Sequence, residues 1–165
     1  MKTALYPGSF DPITLGHLNI IRRAASIFDK VVVCVMKNSE KHPMFSIEER
    51  MELARKSTAR FGNVEVATTD MLFAEFAKQF EGPVIVKGLR AVSDFDYEFQ
   101  IALINKKLNP ELETVFLTAS EKYTFLSSSV VREMARYQVD LSELVPMEIV
   151  RDVMDKTNSL LKNKE

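Results

Sequence analysis

The chain is short of the residues that build covalent or metal-held scaffolds. Among its 165 residues it has one cysteine, Cys34, two histidines, His17 and His42, and no tryptophan. A lone cysteine excludes an internal disulfide and a thiolate metal cluster. Cys34 sits within Val31-Val32-Val33-Cys34-Val35-Met36, where a buried structural thiol is expected in preference to a nucleophile. The two histidines have no close cysteine or carboxylate cluster, so no zinc-ligand spacing is present. No serine–histidine–aspartate or cysteine–histidine layout is suggested either. Charge of one sign is also lacking: 22 Lys and Arg against 23 Asp and Glu give a net charge of −1. That balance argues against a large basic surface for nucleic acid, although small basic clusters can bind a phosphorylated metabolite. No apolar run approaches the ~20 residues of a membrane span, and Met1-Lys2-Thr3 does not open a signal-peptide pattern. No membrane or nucleic-acid partner is expected, and the cytoplasm is the expected compartment.

What is present is an ordinary globular composition, 46% hydrophobic and 27% charged, with length enough for one domain over 1–165. No repeat, low-complexity tract or linker interrupts it. Strand-like and helix-like segments alternate. Strands are predicted at Lys2–Tyr6, Lys30–Met36, Asn63–Ala67, Val84–Val86 and Thr114–Thr118. The β-branched run from Lys30 to Met36 marks a strand buried on both faces. Helices are predicted at His17–Phe28, with Ile20, Ile21, Ala24 and Ile27 on one face, and from the capping box Ser46-Ile47-Glu48-Glu49 to about Arg60. Asp70 is expected to cap a helix through Phe80; Asp94–Leu108, Ser127–Arg136 and Pro146–Leu161 follow. The last carries an apolar stripe of Ile149, Val153 and Leu160 beside Val150, Met154 and Leu161. Five strands alternating with helices predict an α/β fold with a doubly wound parallel sheet and C-terminal helices. Ligands in such folds bind beyond the carboxyl ends of the strands.

The segments at those ends carry the chemistry. The first is Tyr6-Pro7-Gly8-Ser9-Phe10-Asp11-Pro12-Ile13-Thr14-Leu15-Gly16-His17, a strand, a Gly/Pro loop and a helix opening with a histidine. It offers backbone N–H groups and an imidazole at a helix N-terminus, where an anion such as a nucleotide phosphate binds well; His17 can also be read as a simple cap. Neither a P-loop nor a dinucleotide fingerprint matches. The second is Lys37-Asn38-Ser39-Glu40-Lys41-His42-Pro43, in which Lys41 is either solvated or an anion contact, and His42 takes no role. The third is Lys87-Gly88-Leu89-Arg90, two cations bracketing a glycine: an exposed basic turn, or a phosphate site with Arg90 bidentate and Lys87 a point charge. Glu98, in Asp94-Phe95-Asp96-Tyr97-Glu98, could pair with Arg90, touch a ribose or only decorate a helix surface. The fourth runs from Tyr123 to Glu133. There Ser127, Ser128 and Ser129 can cradle an anion with hydroxyl and amide hydrogens, where an ordinary N-cap needs only one serine. Phe73, Phe76 and Phe80 fall at helical spacing and read as core, with Phe73 placed to line an apolar pocket.

The Thr14-Leu15-Gly16-His17 tetrad resembles the signature of nucleotidyltransferases with a [His/Thr]-x-Gly-His motif. The whole first string, Lys87-Gly88-Leu89-Arg90-Ala91-Val92-Ser93-Asp94-Phe95-Asp96-Tyr97-Glu98, Glu111–Leu117 and Ser127–Glu133 together resemble the bacterial phosphopantetheine adenylyltransferases, over about Lys2 to Met147. The resemblance implies a Rossmann-like nucleotidyltransferase fold. It implies a reaction of ATP with 4′-phosphopantetheine, with Mg²⁺, to give dephospho-coenzyme A and pyrophosphate, the penultimate step of coenzyme A synthesis. It implies that His17 stabilises the transition state at the α-phosphate, Ser9 positions the reacting phosphates and Phe10 lies against the nucleotide. Lys41 and Lys87 would hold the attacking phosphate, and Phe73 would line the pantetheine arm. Gly88, Leu89, Arg90, Glu98, Tyr123, Thr124, Phe125, Leu126, Ser127, Ser128 and Ser129 would hold ATP. A homohexamer under feedback by coenzyme A is implied as well. Two positions depart from the family pattern. Lys87 stands where arginine is common, keeping the charge but losing the planar fork, and Ser9 stands where some members have threonine.

Two other readings remain. A relative with another acceptor, such as a nicotinate-mononucleotide adenylyltransferase or a cytidylyltransferase, shares the first motif but usually differs where Ser127-Ser128-Ser129 stands. A nucleotide-binding regulatory module without catalysis would not require the set of Ser9, His17, Lys41, Arg90 and the serines.

Overall fold

A computed structural model describes residues 1–37 and 42–163 of the chain. Lys41, expected at the acceptor phosphate, lies outside the described residues. Five strands form one parallel sheet: β1 (Thr3–Gly8), β2 (Lys30–Met36), β3 (Val64–Thr69), β4 (Pro83–Leu89) and β5 (Glu113–Thr118). Their spatial order is β3-β2-β1-β4-β5. The predicted α/β class and all five strands stand.

The centre of the sheet, β1, β2 and β4, is buried on both faces because successive residues feed opposite clusters. Ala4, Tyr6, Val31, Val33 and Val86 pack on one side, and Leu5, Val32, Cys34 and Ile85 on the other. Cys34 is fully buried, and burial pushes its thiol up to about 12, which suits packing and not nucleophilic attack. The first side is covered by α1 (Leu15–Ile27), α2 (Ile47–Thr58), α5 (Ser128–Arg136) and α6 (Val150–Lys162), the second partly by the short α3 (Phe73–Phe76). α4 (Val92–Leu108) follows β4 and has no buried residue along its length.

The helices differ from expectation in informative places. α1 begins at Leu15, so His17 is its third residue and not its first. Ile27, assigned to the apolar face, closes the last turn beyond the covered surface and is 62% exposed. Asp70 caps nothing: the Thr69 hydroxyl accepts from the Met71 N–H (3.0 Å) and takes up the turn instead. α3 then lasts one turn before a 3-10 segment, Ala77–Gln79. The last helix starts as a 3-10 turn, Met147–Ile149, and its buried line is Ile149, Val153 and Thr157, with Leu160 and Leu161 partly exposed.

One arginine joins the loops after β1 and β2. Arg50, nearly fully buried on α2, donates from Nη1 to the Ser9 carbonyl (2.8 Å) and the Met36 carbonyl (3.1 Å). Its Nε donates to the Ser46 carbonyl (3.3 Å). Asp11, also buried, accepts from the amides of Met44 and Phe45 (both 2.9 Å). Neither residue stood out in the sequence. Replacing Arg50 with methionine keeps volume but removes the guanidinium from the Ser9 and Met36 carbonyls, while the Ser46 carbonyl keeps the backbone amide at position 50, so we expect a loss of about 2–3 kcal/mol in urea unfolding. A midpoint equal to wild type would show that the loops do not depend on this side chain.

Candidate active site

The sheet splits at its carboxyl end, and the split creates the site. β1 and β2 stay paired to Gly8 and Val35, and β4 and β5 to Leu89 and Thr118. β1 and β4 stop pairing at Leu5 and Ile85. The chain runs outward from β1 through β2 to β3 and returns to β4 on the other side of β1, so this gap is the topological switch point, where open α/β sheets take their ligands. A cavity of about 420 Å³ occupies it, lined by Tyr6, Gly8, Phe10, His17, Lys87, Gly88, Arg90 and Glu98 among others. A second cavity of about 310 Å³ adjoins it, lined by Ser9, Asp11, His42, Arg50, the three serines and Arg132. Phe10, His17, Arg90, Ser127 and Ser128 line both, so His17 stands at the waist between two lobes.

Reciprocal hydrogen bonds fix the His17 ring. The Thr14 hydroxyl accepts from the His17 amide (3.2 Å), and His17 Nδ1 accepts from the Thr14 amide (3.1 Å). An amide can only donate, so Nδ1 must keep its lone pair. The proton of the neutral imidazole therefore sits on Nε2, away from the cap. Phe10 meets the ring edge-on (centroids 5.0 Å apart), and Tyr6 backs both (6.4 Å to His17, 5.3 Å to Phe10). Burial, then the positive charges of Arg90 and Lys87, lower the His17 pKa to about 4. Phe10 reaches its place with φ 47°, a left-handed backbone that costs a non-glycine residue about 1 kcal/mol or more. Its ring lies over Gly8, where a Cβ would come within 2.9 Å of Phe10 Cζ. Gly8 is therefore required by the ring above it.

The cavity cations are held by carboxylates of α4. Lys87 Nζ lies 3.1 Å from Glu98, both half-buried. Arg90 Nε lies 3.5 Å from Asp94, and its Nη1 donates to the Leu126 carbonyl (2.9 Å). Of the readings open for Glu98, the ion pair is realised, but with Lys87 and not with Arg90. Asp94 also accepts from the amides of Arg90 (3.1 Å) and Ala91 (3.3 Å), which starts α4 earlier than the predicted Asp94.

The three serines have separate tasks. Ser127 caps α5, accepting from the Val130 amide (3.2 Å); Ser128 donates to the Pro12 carbonyl (2.8 Å); Ser129 accepts from Arg132 Nη2 (3.2 Å). What remains for an anion is the Ser127 and Ser129 hydroxyl hydrogens, since both oxygens accept in these bonds, and the Ser128 and Ser129 amides, which no intrahelical carbonyl can reach. Arg132 Nη1 also donates to the Asp11 carbonyl (2.6 Å), tying α5 to the first loop.

Most sequence-predicted residues converge here: Ser9, Phe10, His17, Lys87, Gly88, Arg90, Glu98, Tyr123, Leu126, Ser127, Ser128 and Ser129 all line one lobe or both. Leu89, Thr124 and Phe125 line neither, and Phe125 is exposed. Phe73 also lines neither lobe; it packs beside Phe76 (6.1 Å) against the second core cluster. Sequence reasoning passed over Tyr6, Asp94 and Arg132, although all three lay inside the quoted strings. Among the described residues, no group of three or more His, Cys, Asp or Glu side chains is placed to hold a metal ion.

A cytidylyltransferase-like family model matches residues 5–134. A phosphopantetheine adenylyltransferase of Caldanaerobacter subterraneus subsp. tengcongensis is 53% identical over 94% of this chain and 98% of its own length. One from Clostridium botulinum (strain Hall) is 50% identical over 96% of each. A solved structure described as a nicotinate-nucleotide adenylyltransferase of Vibrio parahaemolyticus superposes with a TM-score of 0.69 over 94% of this chain and 96% of that one. At 16% identity it shares the fold alone.

The depressed His17 pKa has a definite sign. An unfolded histidine takes up its proton below about 6.5, whereas folded His17 does so only near 4. Its contribution to stability is thus present above pH 6.5 and is lost as the pH falls from 6.5 through 4. In ligand-free protein, NMR should show His17 as the Nε2–H tautomer at pH 7, titrating near 4. A midpoint near 6.5 would contradict the desolvated, cap-bonded imidazole.

Proposed function

The chain belongs to the phosphopantetheine adenylyltransferases of the cytidylyltransferase-like family, and we propose that ATP and 4′-phosphopantetheine react at the waist between the two lobes. The enzyme transfers the adenylyl group of ATP to 4′-phosphopantetheine, forming dephospho-coenzyme A and pyrophosphate. A phosphate oxygen of the acceptor bonds to the α-phosphorus, and the bond from that phosphorus to the bridging oxygen of pyrophosphate breaks. The nucleophile is already anionic near neutral pH, so no protein base has to remove a proton. Catalysis then rests on positioning and on charge stabilisation at the α-phosphoryl group.

The observation that carries this reading is the Nε2–H of His17, fixed by the Thr14 cap between the lobes. It is a neutral donor with no other assigned partner, and it suits the developing charge on an α-phosphate oxygen. Ser9 and the α5 amides are assigned to the phosphates, and Phe10, Gly88, Arg90, Glu98 and the 123–129 segment to ATP. Lys87 is assigned to the acceptor phosphate together with Lys41. Phe73, away from both lobes, keeps its assignment to the pantetheine arm only if that arm extends past the crevice toward α3.

The ligand chemistry of the site favours Mg²⁺ that arrives on the triphosphate, with phosphate oxygens and water as its ligands. Coenzyme A shares the adenylyl and pantetheine parts of the product, so it is proposed as a competitor for the same crevice. The proposed compartment is the cytoplasm; no helix of the described residues is long and apolar enough to cross a membrane. A homo-oligomer, the homohexamer implied by the resemblance, is supported by α4, whose Val92, Tyr97, Leu103 and Ile104 are all more than half exposed. A 17-residue helix with no buried residue leaves apolar surface to be covered by another copy.

Pyrophosphate release with MgATP should require 4′-phosphopantetheine, and nicotinate mononucleotide should not replace it. Release with the mononucleotide alone would overturn the acceptor. His17→Ala should lower turnover by about 10²-fold or more while changing ATP affinity little; unchanged turnover would overturn the role of the imidazole. Light scattering should give a multiple of the 18.8 kDa chain mass, falling on Ile104→Glu; a wild-type monomer would refute the assembly.

A further inference from the structure

We propose that Tyr6 contacts the nucleotide directly, its hydroxyl hydrogen-bonding a ribose hydroxyl of bound ATP. This rests on the adenylyltransferase reading of the crevice and adds to it a residue that sets sugar specificity. Tyr6 is the first β1 residue beyond the last β1–β4 pair, Leu5 with Ile85. Its ring is buried, 6% exposed, against Phe10 and His17, while the residue still lines the larger lobe. Among the described residues the hydroxyl has no hydrogen-bond partner. It is also not sealed from solvent, since the sealed, unpartnered side-chain oxygen is Thr3 Oγ1. A phenol this deeply buried ordinarily finds a partner. The open side here is the cavity, so the partner is the ligand, or water in its absence.

The surroundings select the kind of group. Gly88 faces the hydroxyl from β4: a Cβ there would lie 3.9 Å from it and 2.9 Å from Ile20 Cγ1. The absent side chain leaves that wall open. Burial and the Glu98 carboxylate push the ionisation of Tyr6 well above the ordinary phenol range, so it remains a neutral donor and acceptor at working pH. The cations and α5 amides elsewhere in the crevice suit phosphate oxygens, which only accept. A ligand group lying between an acceptor-only carboxylate and a phenol must be able to donate to the carboxylate, as a sugar hydroxyl does and a phosphate oxygen does not. The sugar is also the part of ATP joined directly to the α-phosphate, and His17, assigned to that phosphate, is the ring beside Tyr6.

Calorimetric binding of ATP, 2′-deoxyATP and 3′-deoxyATP to the full chain and to Tyr6→Phe tests the contact. The substitution should weaken ATP roughly 3- to 10-fold. One deoxynucleotide should bind wild type more weakly by a similar factor and lose nothing further in Tyr6→Phe. The ligand-free variant should melt no lower than wild type, because the hydroxyl lacks a protein partner. Equal ATP affinity in the two proteins, an equal loss for all three nucleotides, or a lowered melting temperature would each overturn the contact. If wild-type protein binds no ATP, the adenylyltransferase reading falls with it; if wild type binds and only the variant comparison fails, the Tyr6 assignment alone falls.

Discussion

The hydrogen-bonded exchange between Thr14 and His17 is the constraint on which the rest of the site depends. As a helix cap it satisfies an orphan amide and contributes about 1 kcal/mol, a modest sum. Its second consequence is larger. By engaging Nδ1 as an acceptor it selects the tautomer and places the proton on Nε2, while burial and the nearby Arg90 and Lys87 disfavour the imidazolium. The ring then needs only lateral restraint, and Phe10 and Tyr6 supply it. Phe10 can do so because its left-handed backbone folds the ring back over Gly8. A tight turn, a glycine, a strained aromatic and a capping threonine thus converge on the aim of one N–H bond.

Much of this was legible in sequence because it is local. The β-branched run at Val31–Val35 could only be a buried strand, and the Ser46–Glu49 capping box opens α2 where its spacing says it must. The first string, the Lys87–Arg90 turn and the serines also announced themselves, since strand ends in a doubly wound sheet converge on one edge. What stayed hidden depends on partners far apart in the chain. Arg50 reads as an ordinary helix-surface cation until β1 and β2 are placed, when three carbonyls at the loop ends point to its guanidinium. Asp11 likewise looks like a turn residue and proves to be the acceptor for two amides of another loop. Glu98, which could pair with Arg90, touch a ribose or decorate a helix surface, meets Lys87 because Arg90 leaves the strand toward Leu126, while Lys87, within β4, stays level with α4. Asp70 failed as a cap because a threonine one residue earlier took the turn first.

The electrostatics of the crevice follow from α4. Its acidic edge neutralises Lys87 and Arg90 through Glu98 and Asp94, while the rest of the helix has no buried residue. α4 is attached near the site by these ion pairs together with the edge-on packing of Phe95 on Phe116 of β5 (centroids 5.6 Å apart). A half-buried pair is costly to leave with one member missing, about 3–5 kcal/mol in fully buried cases, so the Lys87–Glu98 pair helps hold α4 to β4. A triphosphate and a phosphomonoester change that balance. In the proposed reaction they would offer the cations stronger partners and leave the carboxylates to sugar hydroxyls or water. A lysine at position 87 suits such an exchange better than an arginine would. Its single point charge on a flexible stem can turn from Glu98 to a phosphate without surrendering two parallel hydrogen bonds. The single charge that weakens bidentate grip thus also lowers the cost of changing partners.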